Sequence, residues 1–157
     1  GWLCADGSGF NLYQKPGFYG EGYFDRKSRY SISFQIVVSP HNLRIYDYST
    51  GHAGSTHDAS ALCDTRIYNK HQTLFGPIEW IWADSAYPSK KWCVVPFKKS
   101  LGGKIIHNQK HAFAALKGCF QSLKDLRINI NDTNGHRFAM AWIKCCLILH
   151  NMIISIE

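Results

Sequence analysis

The stretch Ile81-Trp82-Ala83-Asp84-Ser85-Ala86-Tyr87-Pro88 decides which fold we predict for this chain. Residues 78–84 are nearly all apolar, which is typical of a strand inside a sheet, and the strand stops at Asp84. A second apolar segment, residues 2–5, stops in the same way at Asp6. A carboxylate at the end of a buried strand lies at the rim of the sheet, where a metal ion or a substrate can reach it. Two such aspartates in a basic chain favour metal-dependent phosphate chemistry.

Length and composition predict one folded domain. The chain has 157 residues, of which 45% are hydrophobic and 14% aromatic, enough for a packed core and too many for a disordered segment. No apolar run in the sequence reaches the ~20 residues that predict a membrane span, and we recognise no signal peptide. Because the sequence begins inside an apolar segment without a methionine, we expect an N-terminal segment to be missing from it.

The net charge indicates which class of partner the protein binds, and the cysteine spacing indicates which cellular compartment it occupies. The net charge of +7 and the pI near 9.2 favour a polyanionic partner such as nucleic acid, although a basic protein without such a partner stays open. The six cysteines include no C-x-x-C pair, which argues against a zinc ribbon. Each cysteine lies in an apolar or helical pattern, so we expect buried, reduced thiols and a reducing compartment.

The order of apolar patterns predicts the architecture. In chain order, we expect strands at residues 2–6 (continued at 11–13 after a glycine kink), 30–38, 43–48, 78–84 and 93–97, and helices at 57–68, 109–126 and 137–154. The last helix is apolar almost all round, so we expect it to be buried. The result is an α/β fold: a mixed sheet flanked by helices, in one domain over residues 1–157. This element order matches that of the RNase H-like fold.

Six short motifs follow one another along the chain. They are Asp6-Gly7-Ser8, Tyr23-Phe24-Asp25-Arg26-Lys27, Gly54-Ser55-Thr56-His57-Asp58, Ala83-Asp84-Ser85-Ala86-Tyr87-Pro88, Leu116-Lys117 and Cys145-Cys146-Leu147-Ile148-Leu149-His150-Asn151. Together they resemble the DDE superfamily endonucleases of the PIF/Harbinger transposase type, whose patterns run D-G-T, Y-x-R-K, G-S-x-H-D, D-S-x-Y-P, E-R-x-F-G-x-L-K and C-C-x-L-H-N. No single motif is specific, but six in order over essentially the whole chain are hard to obtain by chance.

The resemblance implies a catalytic domain that cuts DNA with two divalent ions, Mg²⁺ or Mn²⁺. Asp6 and Asp84 match the first two acidic ligands of such a site. Hard cations of this kind take oxygen ligands, and two of them about 4 Å apart can activate water and stabilise the leaving oxygen. The alternative for each aspartate is a solvated side chain at a strand end.

The third acidic ligand is where the chain departs from the family pattern. Aligning Phe113, Leu116 and Lys117 with the pattern E-R-x-F-G-x-L-K places Lys110 where a glutamate is expected, and residues 100–109 contain no acid. A lysine ammonium cannot ligate a divalent ion and repels it. We therefore expect this chain to cleave DNA weakly or not at all.

Two other acidic residues are candidates to complete the site. Asp58 belongs to the G-S-x-H-D motif, and Asp64 lies further along the same predicted helix. The alternative for Asp58 is a first-turn carboxylate that balances the helix dipole. His57 and His52 invite a metal-ligand interpretation, but a histidine in a polar loop is more often a hydrogen-bonding residue.

Basic residues give candidate contacts to DNA. Lys110, Lys117 and Lys124 recur every seven residues and would form one stripe along the predicted helix. Arg26 and Lys27 would extend this basic surface, and such contacts to phosphates are independent of sequence and sensitive to salt. The alternative is a solvated helix flank whose lysine stems cover apolar surface.

Three interpretations of function remain at this stage. The first is a transposase-derived nuclease domain, and the second is a catalytically inactive derivative that binds DNA or a partner. The third, a zinc-dependent nuclease or deaminase, lacks the H-x-E and P-C-x-x-C spacing. The resemblance also implies a nuclear location, a separate DNA-binding protein or N-terminal module, and a homodimer among the partners. We expect His150 and Asn151 to pack the last helix onto the sheet.

Overall fold

A computed structural model describes residues 3–56, 58–84, 86–95 and 103–156, with the backbone alone for residues 53, 58, 59 and 103–110. The strands are β1 (Leu3–Asn11), β2 (Ser31–Val38), β3 (Ile45–Ala53), β4 (Ile81–Ala83) and β5 (Cys93–Val94). The α-helices are α1 (Asp58–Cys63), α2 (Arg66–Leu74), α3 (Gly103–Cys119) and α4 (Thr133–Ile156). Two 3₁₀ helices cover Gly20–Tyr23 and Gln121–Leu123.

The strands form one mixed sheet in the order β3-β2-β1-β4-β5, with β1 at its centre. β1 and β3 are antiparallel to β2, whereas β4 is parallel to both β1 and β5. The helices pack on this sheet, so the predicted α/β class with a mixed sheet is confirmed.

Side-chain alternation along β2 separates two hydrophobic cores, one on each face of the sheet. Ile32, Phe34 and Ile36 point to the face that α3 and α4 cover. Val37 points to the other face, where it packs with Leu62 of α1. Every residue of β2 is buried, as expected for a strand covered on both sides.

The strand boundaries differ from the prediction in four places. β5 covers Cys93–Val94 of the predicted 93–97, of which residues 96 and 97 lie outside the described part of the chain. β1 is continuous, because Gly7 and Gly9 pair with β2 in regular register and no kink separates residues 2–6 from 11–13. β3 begins later and runs further than the predicted 43–48. β4 is limited to three residues, and Ile78, predicted within it, is 82% exposed. Apolar character alone did not mark where pairing with β1 ends.

The single helix predicted over 57–68 is two helices in the structure. α1 ends at Cys63, and Thr65 begins α2. The Thr65 hydroxyl accepts a hydrogen bond from the Tyr68 N–H at 3.2 Å and donates one to the Leu62 carbonyl at 2.7 Å. This side chain thus serves backbone groups on both sides of the break, as expected of an N-cap residue.

α3 ends at Cys119, seven residues before the predicted end at Leu126. Phe120 leaves the helical conformation with φ −118° and ψ 87°, and the chain turns so that Leu123 and Leu126 reach the core. Lys124 therefore lies beyond the 3₁₀ helix and not on α3. The predicted stripe of three lysines on one helix is wrong at this residue.

α4 is buried on one face only, and the prediction of burial all round is wrong. Its buried residues are Ala139, Met140, Ile143, Cys146, Leu147 and His150. Several large apolar side chains on the rest of the helix are exposed, because the sheet and α3 cover one side of it. By length and composition α4 passes the test for a membrane span, with a mean hydropathy of 1.7, but core helices of soluble proteins pass the same test.

His150 and Asn151 hold α4 against the start of β3, which confirms the structural role predicted for them. The Asn151 amide accepts a hydrogen bond from the Ile45 N–H at 2.9 Å and donates one to the Ile45 carbonyl at 2.8 Å. The His150 ring lies 3.2 Å from the Leu43 carbonyl. Asn151 thereby replaces the strand that would otherwise pair with the first residue of β3.

The cysteines are all free, but they are not uniformly buried. Cys4, Cys93 and Cys146 are buried as predicted, whereas Cys119 and Cys145 are exposed. Both exposed cysteines belong to helix surfaces that the sheet does not cover, so the general prediction of buried thiols is wrong for them.

Candidate active site

The site begins with a pair of aspartates on neighbouring parallel strands. β1 and β4 pair through Leu3 with Ile81, Cys4 with Trp82 and Ala5 with Ala83. Asp6, within β1, and Asp84, which directly follows β4, each come one residue after the last of these pairs, where β4 ends. Neighbouring strands lie about 4.8 Å apart, which brings the two backbones side by side.

Strand alternation places the two aspartates on the face that α3 covers. Cys4 and Trp82 contribute to the core between the sheet, α3 and α4. Asp6 follows Cys4 by two residues within β1 and points to the same side; Asp84 follows Trp82 by two residues, and we infer the same side for it from the direction in which β4 ends. Both residues are half-buried, and one Asp6 carboxylate oxygen accepts the Gly7 N–H at 2.9 Å.

α3 runs along β1 from this pair towards the end of the strand. Phe113 contacts Phe34, whose partner across the sheet is Ser8, and Lys117 reaches Ser8 and Gly9. Lys110 lies about two turns before Lys117, or roughly 10 Å along the helix axis. This direction places the Lys110 backbone towards the aspartate pair; its side chain lies outside the described residues.

Beyond Ala83, the structure places no further strand of its described residues beside β1 on the β4 side. The backbone carbonyls on this free edge are partly satisfied by other groups. Lys117 Nζ donates to the Gly9 carbonyl at 3.0 Å, and the Leu126 N–H donates to the Asn11 carbonyl at 2.8 Å. The free edge opens into a cleft of about 440 Å³.

The cleft gathers segments that are distant in sequence. It is lined by Gly7, Ser8, Gly9, Asn11, Asp25, Arg26, Lys27, Arg29, Ser31, Ser33, Gly54, Ser55, Thr56, Ala86 and Lys117. The cleft therefore includes Gly7, which follows Asp6, and Ala86, which lies two residues after Asp84. Its lining contains four cationic side chains, and we call it the basic cleft.

Asp25 organises the loop that carries three of these cations. One of its carboxylate oxygens accepts the backbone N–H of Lys27 at 2.8 Å and that of Arg29 at 3.1 Å; the other accepts the Ser31 hydroxyl at 2.8 Å. Burial acts to raise the pKa of Asp25, but the hydrogen bonds from Ser31, Arg29 and Lys27 outweigh it and hold the pKa below its usual value. The carboxylate is ionised and fixes the loop around it.

Lys117 is drawn into the wall of the basic cleft. Its ammonium group donates to Ser8 and Gly9 and lies 5.2 Å from the centre of the Phe10 ring. Burial lowers the pKa of Lys117, and the nearby charge of Lys27 lowers it further. Lys117 is thus not a solvated side chain on the flank of α3, and it does not form a stripe with Lys124. Among the residues predicted to contact DNA, Arg26, Lys27 and Lys117 line the same cleft.

Gly54 permits the close approach that shapes the far wall of the cleft. A Cβ atom at this position would lie 2.5 Å from the Tyr23 carbonyl oxygen and 2.6 Å from that of Ser31. Because both neighbours are backbone atoms, a larger residue cannot be accommodated without moving the wall.

The other predicted ligand candidates lie apart or outside the described side chains. His52 contacts Ser49 at 2.8 Å and Asp64 at 3.2 Å, so Asp64 is engaged away from the cleft. Asp58 begins α1, but its side chain and residue 57 are outside the description. Within residues 3–56, 58–84, 86–95 and 103–156, no three His, Cys, Asp or Glu side chains form a group that could hold a metal ion.

No role in the site was predicted for Asp25, Arg29 or Gly54, although Asp25 and Gly54 belong to motifs that carry the family resemblance. Asp25 carried a readable signal, because an Asp whose side chain can accept the N–H groups of the next residues is typical of a turn. The roles of Arg29 and Gly54 depend on a tertiary approach between the loop and residues 54–56, for which the local sequence has no marker.

Comparison with known proteins gives one match. No curated protein and no solved structure matches the chain significantly. A family model described as DDE superfamily endonuclease matches residues 5–151, which include Asp6, Asp84, the residues of the basic cleft and Asn151. This chain belongs to the DDE superfamily endonuclease family.

Proposed function

We propose that this chain is a transposase-derived nuclease domain of the PIF/Harbinger type, with an RNase H-like fold, that acts on the phosphodiester backbone of DNA. The observation that carries the proposal is the pairing of Ala5 with Ala83 on parallel strands, which Asp6 and Asp84 each follow by one residue. The basic cleft that starts beside this pair supports a polyanionic substrate. The membership in the DDE superfamily endonucleases supports the reaction class.

The chemistry of the aspartate pair fits divalent ions. Carboxylates offer the oxygen donors that Mg²⁺ and Mn²⁺ prefer, and Asp6 and Asp84, each next to the paired residues Ala5 and Ala83, would hold these ions. When bound, two such ions would supply an activated water and stabilise the leaving oxygen. The pairing of β1 with β4 would set the spacing between the two carboxylates, and the fold keeps both carboxylates half-buried.

Lys110 occupies the position of the third acid in this proposal. An ammonium group within 4 Å of another positive charge is repelled by about 4 kcal/mol per unit charge at a typical effective dielectric constant. We infer that metal binding at the pair is weakened and that DNA cleavage by this chain is weak or lost. Asp58, in the motif next to the cleft, is the residue that would complete the site if cleavage persists.

The basic cleft would bind the DNA backbone. Arg26, Lys27, Arg29 and Lys117 line it together, so they can contact successive phosphates without reading bases. Lys124 lies outside the lining residues and would contact DNA only at a distance from the pair. Recognition of a target sequence would then come from a separate protein or an N-terminal module, and the site of action would be the nucleus.

The alternative function is a non-catalytic binder of DNA or of a partner protein. The observation that favours it is the combination of an intact basic cleft with a lysine at the third acidic position. Both functions predict salt-sensitive DNA binding; they differ in whether metal-dependent cleavage accompanies it.

A plasmid-nicking assay in Mg²⁺ and in Mn²⁺, run beside a DNA-binding titration, tests the proposal. For the unaltered chain we expect salt-sensitive binding with little nicking, and for Asp84→Ala we expect the same binding and no nicking. Robust nicking that disappears in Asp84→Ala would contradict the role given to Lys110 but keep the nuclease assignment. A chain that neither binds nor nicks DNA would contradict the proposed function as a whole.

A further inference from the structure

We propose that Gln35 and Tyr87 are positioning residues for Asp84. Gln35 lies in β2, Tyr87 lies three residues after Asp84, and the Gln35 side-chain amide donates a hydrogen bond to the Tyr87 hydroxyl. This bond, which we call the Gln35–Tyr87 bond, fixes the segment that follows β4 and so holds the Asp84 carboxylate beside Asp6. The inference rests on the proposed function, because Asp84 is one of the two carboxylates assigned there to divalent ions.

Asp84 needs support on its carboxyl-terminal side, because β4 ends just before it. On the amino-terminal side, Ala83 is held by its pairing with Ala5 of β1. After Ala83, no described residue continues this pairing, so the sheet does not fix the chain beyond that point. The Tyr87 N–H donates to the Asp84 carbonyl at 3.1 Å. The position of Asp84 therefore depends on where Tyr87 is held.

Tyr87 is held on the face of the sheet that α1 covers. Only 4% of Tyr87 is exposed, and it belongs to the core cluster that contains Val37 and Leu62. Apolar packing restrains the ring but is not directional, whereas the hydrogen bond to Gln35 fixes the direction of the hydroxyl. β2 is paired with a strand on each side, so Gln35 offers a rigid point of attachment.

Gly7 leaves the path between the two side chains open. Gln35 is paired with Gly7 across β1, whereas Tyr87 follows β4 on the far side of β1. Directly opposite residues of antiparallel strands have Cβ atoms about 5 Å apart, so a side chain at position 7 would lie beside that of Gln35. Glycine at this position therefore allows the Gln35 amide to extend over β1 towards Tyr87.

The Gln35 amide is an unusual group for its position. The residue is 0% exposed, and its Oε1 has no hydrogen-bond partner in the described part of the chain. Glutamine is seldom fully buried, and an amide acceptor without a partner costs free energy of folding. An apolar side chain of similar size would avoid that cost. The specific contribution of the amide is the Gln35–Tyr87 bond.

Amide hydrogen exchange, followed by NMR, tests this support without any metal ion. In Gln35→Met and in Tyr87→Phe, we expect the amide of residue 87 to exchange roughly 10-fold faster, because the segment after β4 opens locally. Ile67→Ala removes apolar contacts from the same core cluster and is the matched control. It should lower the stability of the whole fold without a selective effect on residue 87.

Mn²⁺ affinity, measured by the loss of the free-ion EPR signal, tests the consequence for Asp84. The measurement uses the Lys110→Glu chain, in which the proposed function expects the ion to bind, and binding lost in Lys110→Glu/Asp84→Ala identifies the site. Adding Gln35→Met or Tyr87→Phe to Lys110→Glu should weaken Mn²⁺ binding roughly 10-fold, as the loss of a group that orients a metal ligand does. Adding Ile67→Ala should leave the affinity unchanged.

The double substitution Gln35→Met/Tyr87→Phe in the same Lys110→Glu chain separates positioning from stability. Removing both partners of a hydrogen bond leaves neither partner unsatisfied and can be nearly neutral for folding. The melting temperature should therefore recover towards that of the Lys110→Glu parent, while the Mn²⁺ affinity stays weak because the support for Asp84 is still missing. Recovery of the affinity together with the melting temperature would show that the two residues have only a structural role.

The remaining outcomes distinguish this inference from the proposed function. Unchanged exchange at residue 87 in both single variants would overturn the inference, because the Gln35–Tyr87 bond would not hold the segment. Faster exchange with unchanged Mn²⁺ affinity would also overturn it and would leave the metal site intact. A Lys110→Glu chain that binds no Mn²⁺ would contradict the metal site of the proposed function and, with it, the positioning role.

Discussion

Lys117 connects the free edge of β1 with the basic cleft, and its ammonium group loses part of its hydration in this position. The ammonium group satisfies the Gly9 carbonyl and the Ser8 hydroxyl while it lies against Phe10. Burial lowers the pKa of Lys117 below the usual 10.5, so the charge that would bind a phosphate is partly withdrawn from water before DNA arrives. Binding a phosphate therefore removes less water from Lys117 than it would from a fully solvated lysine.

The Lys117→Met substitution should weaken DNA binding and reduce the slope of log K against log salt by about one, since one phosphate contact is lost. Because Lys117 binds phosphate only when protonated, the affinity of the unaltered chain should fall as the pH rises through its lowered pKa. This alkaline fall should begin below 10.5 and should be reduced in Lys117→Met. Fluorescence anisotropy at several salt concentrations and pH values measures both effects, with Lys144→Met as the control.

The lowered pKa of Asp25 predicts that the free energy of unfolding falls in acid. The pKa of Asp25 in the folded protein lies below its usual value of 3.8, so the ionised form stabilises the fold at neutral pH, and this stabilisation is lost as the pH falls through the folded pKa. Asp25→Asn should lower the free energy of unfolding by about 1 kcal/mol at pH 7. The difference between variant and parent should shrink below the folded pKa of Asp25, as measured by urea unfolding at a series of pH values. A difference that persists unchanged in acid would contradict the role of the ionised carboxylate.

Gly54 gives a prediction about packing that has a matched control. Gly54→Ala would bring a methyl group within 2.6 Å of two backbone carbonyl oxygens, and we expect a loss of at least about 2 kcal/mol in unfolding free energy. Gly118→Ala, near the end of α3, meets nothing within 4 Å and should be neutral or stabilise by up to about 1 kcal/mol. Chemical denaturation of the two variants distinguishes a steric requirement at residue 54 from a general sensitivity to lost glycines.

Among the elements, α4 is held to the start of β3 by hydrogen bonds from the side-chain amide of Asn151 to the backbone of Ile45. Asn151→Ala would leave the N–H and the carbonyl of Ile45 without their present partners. We expect a destabilisation of about 1–3 kcal/mol, the usual cost of a buried unsatisfied group. Thermal unfolding of Asn151→Ala beside Lys144→Ala measures this cost; equal melting temperatures would show that the two hydrogen bonds are not needed to hold α4.

Elements were predictable from sequence where the local pattern and the tertiary environment agree. The alternation in residues 30–38 gave β2 nearly to the residue, and the apolar run before Asp84 gave an interior strand. α3 ends early because Leu123 and Leu126 gain burial by leaving the helix, which a helical apolar spacing cannot reveal. α4 appeared apolar almost all round, and the sequence alone could not tell its buried face from its exposed face.

At the scale of the whole molecule, the site is a consequence of sheet order. β1 is central and pairs with β4 in parallel, so two aspartates that are 78 residues apart in sequence each follow the paired residues Ala5 and Ala83 by one position. The sequence identified both residues from the way their apolar segments end. The basic cleft was less accessible to prediction, because the loop with Asp25, the wall at Gly54 and the α3 residue Lys117 meet only in the folded chain.

The central claim is that Asp6 and Asp84 form a two-carboxylate site that Lys110 leaves incomplete. A Lys110→Glu substitution removes the repelling charge and adds the missing oxygen ligand, so it should increase metal-dependent activity. The decisive measurement is plasmid nicking in Mn²⁺ by Lys110→Glu, beside the unaltered chain and the double variant Lys110→Glu/Asp84→Ala. We predict nicking by Lys110→Glu alone. Nicking by the unaltered chain at the same rate, or no nicking by a folded, DNA-binding Lys110→Glu protein, would contradict the claim.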